Sequence, residues 1–157
     1  MEKAPMTLQG FDDLQTELKR LKTTERPEVI KAIAAAREHG DLSENAEYHA
    51  ARERQAFIEG RVGIIEDLLS RAEVIDVTAI KGKVIKFGAI IRIKDEDTEE
   101  KSTYRIVGEH EADVKSGKLS VSSPMARAMI GKTVSDSIEV TTPGGTKSYE
   151  IMGVRYK

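Results

Sequence analysis

Apolar residues recur at helical intervals in the first half of the chain and at alternate positions in the second. Leu14, Leu18 and Leu21 step by four and then three, and Ile58, Val62, Ile65, Leu69 and Ala72 step by four, three, four and three. Ala51 and Gln55 carry the second seam backwards. This is the a/d spacing of a coiled coil. Between the seams lies one obvious turn, His39-Gly40-Asp41-Leu42-Ser43, in which Gly40 suits the left-handed conformation that ends a helix. Two helices joined by so short a turn run antiparallel. Each arm, at about 30 residues, predicts a rod of about 45 Å. Proline removes a backbone donor and clashes with the preceding turn. Thr24-Glu25-Arg26-Pro27 interrupts the first arm, and the apolar rhythm slips there to Ile30 and Ile33. A kink or short break is expected near Thr24–Pro27.

After Asp76 the period shortens. Lys83–Lys94, Ser102–Val107, Ser137–Thr142 and Lys147–Val154 alternate and are rich in β-branched residues, so they predict strands, with Pro143-Gly144-Gly145 turning the last hairpin. Ser123 suits a helix cap and Pro124 the first helical position, with Gly131 placed to end that short helix. The predicted class is α+β: an antiparallel coiled-coil hairpin over residues 1–76, then a small α+β domain over 77–157.

Charge follows the same division. Of 25 basic and 27 acidic residues, Met1–Asp76 holds 11 and 16 and Val77–Lys157 holds 14 and 11, so the halves differ in sign although the whole is near neutral. No global basic field advertises free nucleic-acid binding. The chain has no cysteine, which excludes disulfides and thiolate zinc sites. No segment approaches a membrane span and no signal peptide is visible, so a cytoplasmic protein is expected.

The turn carries the candidate chemistry. Asp41 and Glu44 stand three apart at the far end of the predicted rod. Mg²⁺ takes one or two carboxylates, several waters and substrate phosphates, so two carboxylates on a bare tip would hold it weakly unless another active site supplied the rest. Spacing alone is equally served by a capping box, with Asp41 as cap and Glu44 as its partner. The two readings are compatible, because a cap uses only some carboxylate oxygens. Arg37 and Arg52 flank the tip, with Lys31 and Arg54 farther down. They suit RNA phosphate contact, and interleaved Glu38, Glu47 and Glu53 equally suit a solvated, salt-bridged face. His39 by itself gives no metal site.

The run Ala36-Arg37-Glu38-His39-Gly40-Asp41-Leu42-Ser43-Glu44-Asn45-Ala46-Glu47-Tyr48 resembles the hairpin tip of the bacterial transcript-cleavage (transcription elongation) factors, the Gre family, GreA type. Tyr104-Arg105-Ile106-Val107-Gly108, Glu111-Ala112-Asp113 and Ser120–Lys132 agree with the same family, and the resemblance runs through the whole chain. One departure is Ser135-Asp136, where Gly-Asp is expected. The resemblance implies an FKBP-like C-terminal domain docked at the rim of the RNA polymerase secondary channel. It implies a hairpin that passes down the channel to the active centre. There Asp41 and Glu44 would help hold a second Mg²⁺, shared with the polymerase and not tightly bound to the free protein, and orient water onto the backtracked nascent RNA 3′ end. The factor would thus be no enzyme itself but an activator in trans, without small-molecule substrate or membrane. Arg37 and Arg52 become candidates for RNA or polymerase contact, and Ser122, Ser123 and Pro124 for the docking surface; a plain helix cap explains the last three equally well.

Three other readings stand beside this one. A channel-plugging inhibitor would share the rod but carry an altered, more acidic tip. A peptidyl-prolyl isomerase or chaperone would want an aromatic-lined pocket, and the C-terminal half offers only Phe87, Tyr104, Tyr149 and Tyr156. A coiled-coil adaptor would have no need of the tip motif.

Overall fold

The computed structural model describes Glu2–Lys157, apart from the side chain of Leu42. Met1, the first residue of the predicted hairpin segment, lies outside the described residues. The chain divides into two compact units, and the division is not in chain order: Phe11–Ala72 builds one, while Lys3–Gly10 joins Glu73–Lys157 in the other. Among the described residues no helix is long and apolar enough to cross a membrane.

The first unit is the helical hairpin. One arm runs through α1 (Leu8–Arg20), a π turn (Leu21–Glu25) and α2 (Arg26–Arg37), and the other is α3 (Ala46–Ser70), 25 residues long. Ile58, Val62 and Ile65 of α3 are buried, and Ala51, Gln55, Leu69 and Ala72 are half-buried, as the heptad spacing requires. On the first arm Leu14, Leu21, Val29 and Ala36 are buried.

Where a kink or short break was expected near Thr24–Pro27, the helix is interrupted by the π turn. The N–H of Arg26 reaches back to the Leu21 carbonyl, five residues away, and Pro27 falls in the first turn of α2. An inserted π turn widens the helix by one residue, relieving the clash between a proline ring and the preceding carbonyls. The extra residue moves the seam from Leu14, Leu18, Leu21 and Glu25 onto Val29, Ile33 and Ala36. Ile30, expected on the seam, is instead 52% exposed.

Charged pairs flank the seam. Arg26 forms a two-pronged bridge to Glu59 at 2.7 and 2.8 Å, and Arg61 does the same to Glu17 at 2.6 and 2.8 Å. Lys22–Glu66 and Arg54–Glu25 add 2.9 and 3.3 Å contacts. The Arg61 guanidinium holds the Glu17 carboxyl below the usual range. Such exposed pairs add little stability each, and their regular placement fixes which faces meet.

In the second unit β1 (Ala4–Thr7) pairs with β2 (Ala72–Ile75), and five strands form the main sheet: β3 (Ile90–Asp95), β4 (Lys101–Val107), β5 (Lys118–Ser120), β6 (Ser137–Thr142) and β7 (Gly145–Arg155). Their order is β5-β4-β3-β7-β6, with β4 and β5 parallel and the other neighbours antiparallel. The short helix α4 (Pro124–Met129) covers one face, burying Ala126 and Met129 against Ile91, Ile93, Ile106, Ile138 and Ile151. The α+β class is as predicted. The expected strand over Lys83–Lys94 begins only at Ile90. Ile85 instead exchanges single hydrogen bonds with the loop at Gly131–Lys132, at 2.9 and 2.8 Å, and Gly88 turns the chain at φ +86°. An alanine Cβ at Gly88 would meet the Val77 side chain at 2.1 Å, so that turn needs glycine. Glu111 ties Lys3–Gly10 into this unit: its carboxylate accepts from the Thr7 backbone N–H at 3.1 Å, from the Thr7 hydroxyl, and from the Gly108 N–H at 2.9 Å. Ser135, the departure from Gly-Asp, sits at φ +78°, where glycine is the easier residue.

Candidate functional site

The hairpin tip is built from Glu38 to Tyr48. Helix α2 ends with N–H groups of Glu38, His39 and Gly40 bonding carbonyls three residues back, and Gly40 takes φ +100°. Asp41 then folds the chain locally: its Oδ1 accepts from the Ser43 backbone N–H at 3.0 Å and from the Ser43 hydroxyl at 2.8 Å. This Asx turn leads into a single 3₁₀ turn, Leu42–Glu44.

The true cap of α3 is Asn45, not Asp41. Asn45 Oδ1 accepts from the Tyr48 N–H at 3.0 Å, while its Nδ2 donates to the Ala36 carbonyl at 2.7 Å, so one amide both starts α3 and ties it to the end of α2. The capping box drawn from Asp41 and Glu44 is therefore not formed. The structural duty it would have given Glu44 has passed to Asn45. Asn45, Ser43 and His49 (whose Nε2 lies 3.3 Å from the Ser43 carbonyl) are the tip residues that sequence reasoning left out. A cap-forming residue just before a helix-rich run was the available signal for Asn45.

The electrostatics of the two carboxylates differ. Hydrogen bonds from the Ser43 hydroxyl, and then from its backbone N–H, hold the Asp41 carboxyl below its ordinary value, so Asp41 is ionised at neutral pH. Glu44 is exposed and, among the described residues, makes no hydrogen bond or ion pair. Among the described residues only Oδ1 of Asp41 is engaged. The turn exposes hard oxygens, two carboxylates and a hydroxyl, beside the imidazoles of His39 and His49. Carboxylate oxygens are the donor type that Mg²⁺ takes. Among the described residues no three His, Cys, Asp or Glu side chains converge to hold a metal.

The flanking cations are available. Arg37, the last residue of α2, is exposed with no ion pair among the described residues, and Arg52 makes only a 3.5 Å contact to the Tyr48 hydroxyl. Lys31 is exposed too, whereas Arg54 is taken by Glu25. In the other unit Ser123 Oγ accepts from the Ala126 N–H at 3.2 Å and Pro124 opens α4, while Ser122 Oγ lies 2.8 Å from Ser120 Oγ. Ser123 is thereby a helix cap in fact, and Pro124 remains exposed beside it.

The first unit is a helical hairpin whose turn carries an ionised Asp41 and an exposed Glu44, and the second is a small sheet domain. Comparison with known proteins gives the chain its family. The family of transcription elongation factors, N-terminal domain, matches residues 4–74, and the C-terminal domain of transcription elongation factors GreA/GreB matches residues 80–156. Transcription elongation factor GreA of Caulobacter vibrioides is 64% identical over 156 residues, covering 99% of both chains. That of Maricaulis maris is 65% identical over the same length and coverage. Among solved structures, GreA factor homolog 1 (Gfh1) of Thermus thermophilus aligns over 98% of this chain and 99% of its own, with 28% identity and a TM-score of 0.45. The chain belongs to the GreA/GreB family of transcription elongation factors.

Proposed function

We propose that this elongation factor passes its hairpin through the secondary channel of RNA polymerase and stimulates the polymerase's own endonucleolytic cleavage of backtracked nascent RNA, rescuing arrested complexes. The observation that carries the reading is the tip. Asp41 is kept ionised by Ser43 and Glu44 is exposed, and among the described residues Asp41 Oδ2 and the Glu44 carboxylate have no partner. A fold has little reason to leave such a pair bare at a turn that Asn45 already caps.

A second Mg²⁺, shared with the polymerase active site, would stabilise charge on the phosphodiester and lower the pKa of the attacking water. Asp41 and Glu44 would supply two of its oxygen ligands and orient that water toward the backtracked RNA 3′ end. Arg37 and Arg52, which have no carboxylate partner among the described residues, would contact RNA phosphates or the polymerase close to the tip. Ser122, Ser123 and Pro124 would lie at the docking surface on the channel rim. The factor activates hydrolysis in trans and needs no small-molecule substrate or membrane.

The test is a cleavage assay on a deliberately backtracked elongation complex, with polymerase binding measured in parallel. Wild-type factor should shorten the transcript, and Asp41→Asn and Glu44→Gln should bind yet fail to do so. Full cleavage by either variant overturns the carboxylate roles. Binding without any cleavage by the wild-type chain overturns the whole reading in favour of a channel plug.

A further inference from the structure

The open face of the main sheet carries a row of cations that, among the described residues, have no carboxylate partner. Strand register places Arg155 of β7 opposite Ile90 of β3, Ile90 opposite Arg105 of β4, and Arg105 opposite Lys118 of β5. Residues directly opposite share a face, so Arg155, Arg105 and Lys118 form one row running across four strands. With strands about 4.7–4.9 Å apart, the row spans about 14 Å. Arg92, two residues along β3 and opposite Gly153, lies on the same face, and its guanidinium covers the space a Gly153 side chain would take, 3.4 Å from that Cβ position. A groove of about 700 Å³ includes Lys83, Arg92 and Arg155 in its lining, and a second of about 200 Å³ includes Arg105 and Lys118; neither lining contains a carboxylate. Among the described residues the acids the register puts on this face are Glu150, opposite Lys94, and Glu139 of β6, opposite Ser148, and both lie away from the row.

Such a row is unfavourable for the fold alone, because like charges directly opposite in a sheet repel, as Arg105 and Lys118 must. The hairpin shows how this chain treats cations held for stability: Lys22, Arg26, Arg54 and Arg61 each have a carboxylate within 3.3 Å. Among the described residues Lys83, Arg92, Lys118 and Arg155 have none, and Arg105 donates only to the Lys157 carbonyl at 3.2 Å.

From this we infer that the open face of the sheet binds the phosphate backbone of a nucleic-acid duplex, a site separate from the tip. A row extended over several strands suits a polyanion rather than a single small anion. Thr103 and Thr133, which line the larger groove, add the hydroxyl donors that phosphate contacts use. Single-stranded binders stack bases on aromatic side chains. Here the only aromatic lining either groove is Tyr104, whose ring packs against the core. Backbone contact without base stacking is the mode of a duplex held sequence-independently.

The experiment is a fluorescence-anisotropy titration of a labelled 20-bp DNA duplex with the full-length protein over a salt series. Wild type should bind at low salt and weaken steeply as salt rises. The triple variant Arg92→Gln/Lys118→Gln/Arg155→Gln should bind at least tenfold more weakly, with the log K against log salt slope reduced by roughly 2 to 3, about 0.9 per lost phosphate contact. Arg92→Lys/Arg155→Lys should keep binding. If the triple variant melts early, the exposed Arg92→Gln change alone should lower the slope by about one. Three results overturn the inference. One is wild-type duplex affinity in these variants. Another is tighter, equally variant-sensitive binding of single-stranded RNA. The last is displacement of the duplex by polyglutamate of matched charge, which would assign the face to an acidic protein partner.

Discussion

Asp41 and Asp76 make the same turn in two places. Each uses Oδ1 to accept from the backbone N–H and the hydroxyl of the residue two further on: Ser43 at 3.0 and 2.8 Å, Thr78 at 3.0 and 2.6 Å. Each leads into a three-residue 3₁₀ turn, and each carboxyl is lowered first by the hydroxyl and then by the amide. The turns part company at their last residue, Glu44 in one and Ala79 in the other. The Asx turn is therefore a generic folding device, and its presence at the tip proves no chemistry. What the tip adds is a second carboxylate, left bare, in a turn whose capping work is done by Asn45. Asp76 becomes the natural control for every statement made about Asp41.

The largest expected effect separates the two aspartates outright. Asp41→Asn and Glu44→Gln should each lower transcript cleavage by about 100-fold or more, since losing charge stabilisation worth a few kcal/mol costs tenfold per 1.4 kcal/mol. Raising Mg²⁺ should restore part of the loss. Asp76→Asn, the same loss of charge in the matching turn, should cleave as wild type. Equal losses at both positions would mean that the turn matters only for folding. The cations come next. Arg37→Ala and Arg52→Ala should reduce cleavage severalfold with melting unchanged, because exposed ion pairs are typically worth only about 0–1 kcal/mol. Arg54→Ala, which removes a shaft ion pair to Glu25, should leave the cleavage rate alone.

A smaller effect tests whether Ser43 positions Asp41. Ser43→Ala removes the hydroxyl bond and keeps the amide bond. Cleavage should fall about two- to fivefold, the scale of one hydrogen bond to a charged group partly replaced by water. The acid limb of the pH–rate profile should move upward, because the leading cause of Asp41's lowered pKa is gone. Thr78→Ala should change neither the rate nor the profile. An unaltered profile in Ser43→Ala would make that hydroxyl a bystander.

Most of the hairpin was legible because heptad spacing is a direct image of burial: Ile58, Val62 and Ile65 lie where the rhythm put them. The π turn was not, since Pro27 in a helical run reads as a break unless the one-residue slip from Glu25 to Val29 is counted as an insertion. The spacing of Asp41 and Glu44 imitates a capping box, and only the Asn45 amide, bonded to both Tyr48 and Ala36, shows that the cap lies elsewhere. In the sheet unit β6 was read to the residue, whereas alternation carried β3 too far back, because Gly88 bends the chain before the strand begins. Strand β1 left no signal, as four residues are too few for a period and its anchor, Glu111, is 104 positions from Thr7. The basic row was hidden for a related reason: Arg105, Lys118 and Arg155 are scattered in sequence and meet only through strand register.

The smallest expected effect asks whether the two turns are equivalent as folding devices. Both carboxyls are lowered from an ordinary value of 3.8. A group whose folded pKa lies below its unfolded value stabilises the fold above the unfolded value, and that contribution disappears as pH falls through the folded one. Wild type should therefore lose a little stability below pH 4 on account of each aspartate. Asp41→Asn and Asp76→Asn should each start slightly less stable at neutral pH and approach wild type in acid, because an amide has no proton to take up there. Both groups are exposed, so the differences in thermal melting will be small, and they should be alike, as the bonds are alike. Melting curves at neutral pH and at pH 3 for the three proteins decide it. If Asp41→Asn loses distinctly more stability than Asp76→Asn, the tip aspartate does more for the fold than its turn explains, and cleavage defects in that variant would have to be corrected for folding before being read as chemistry.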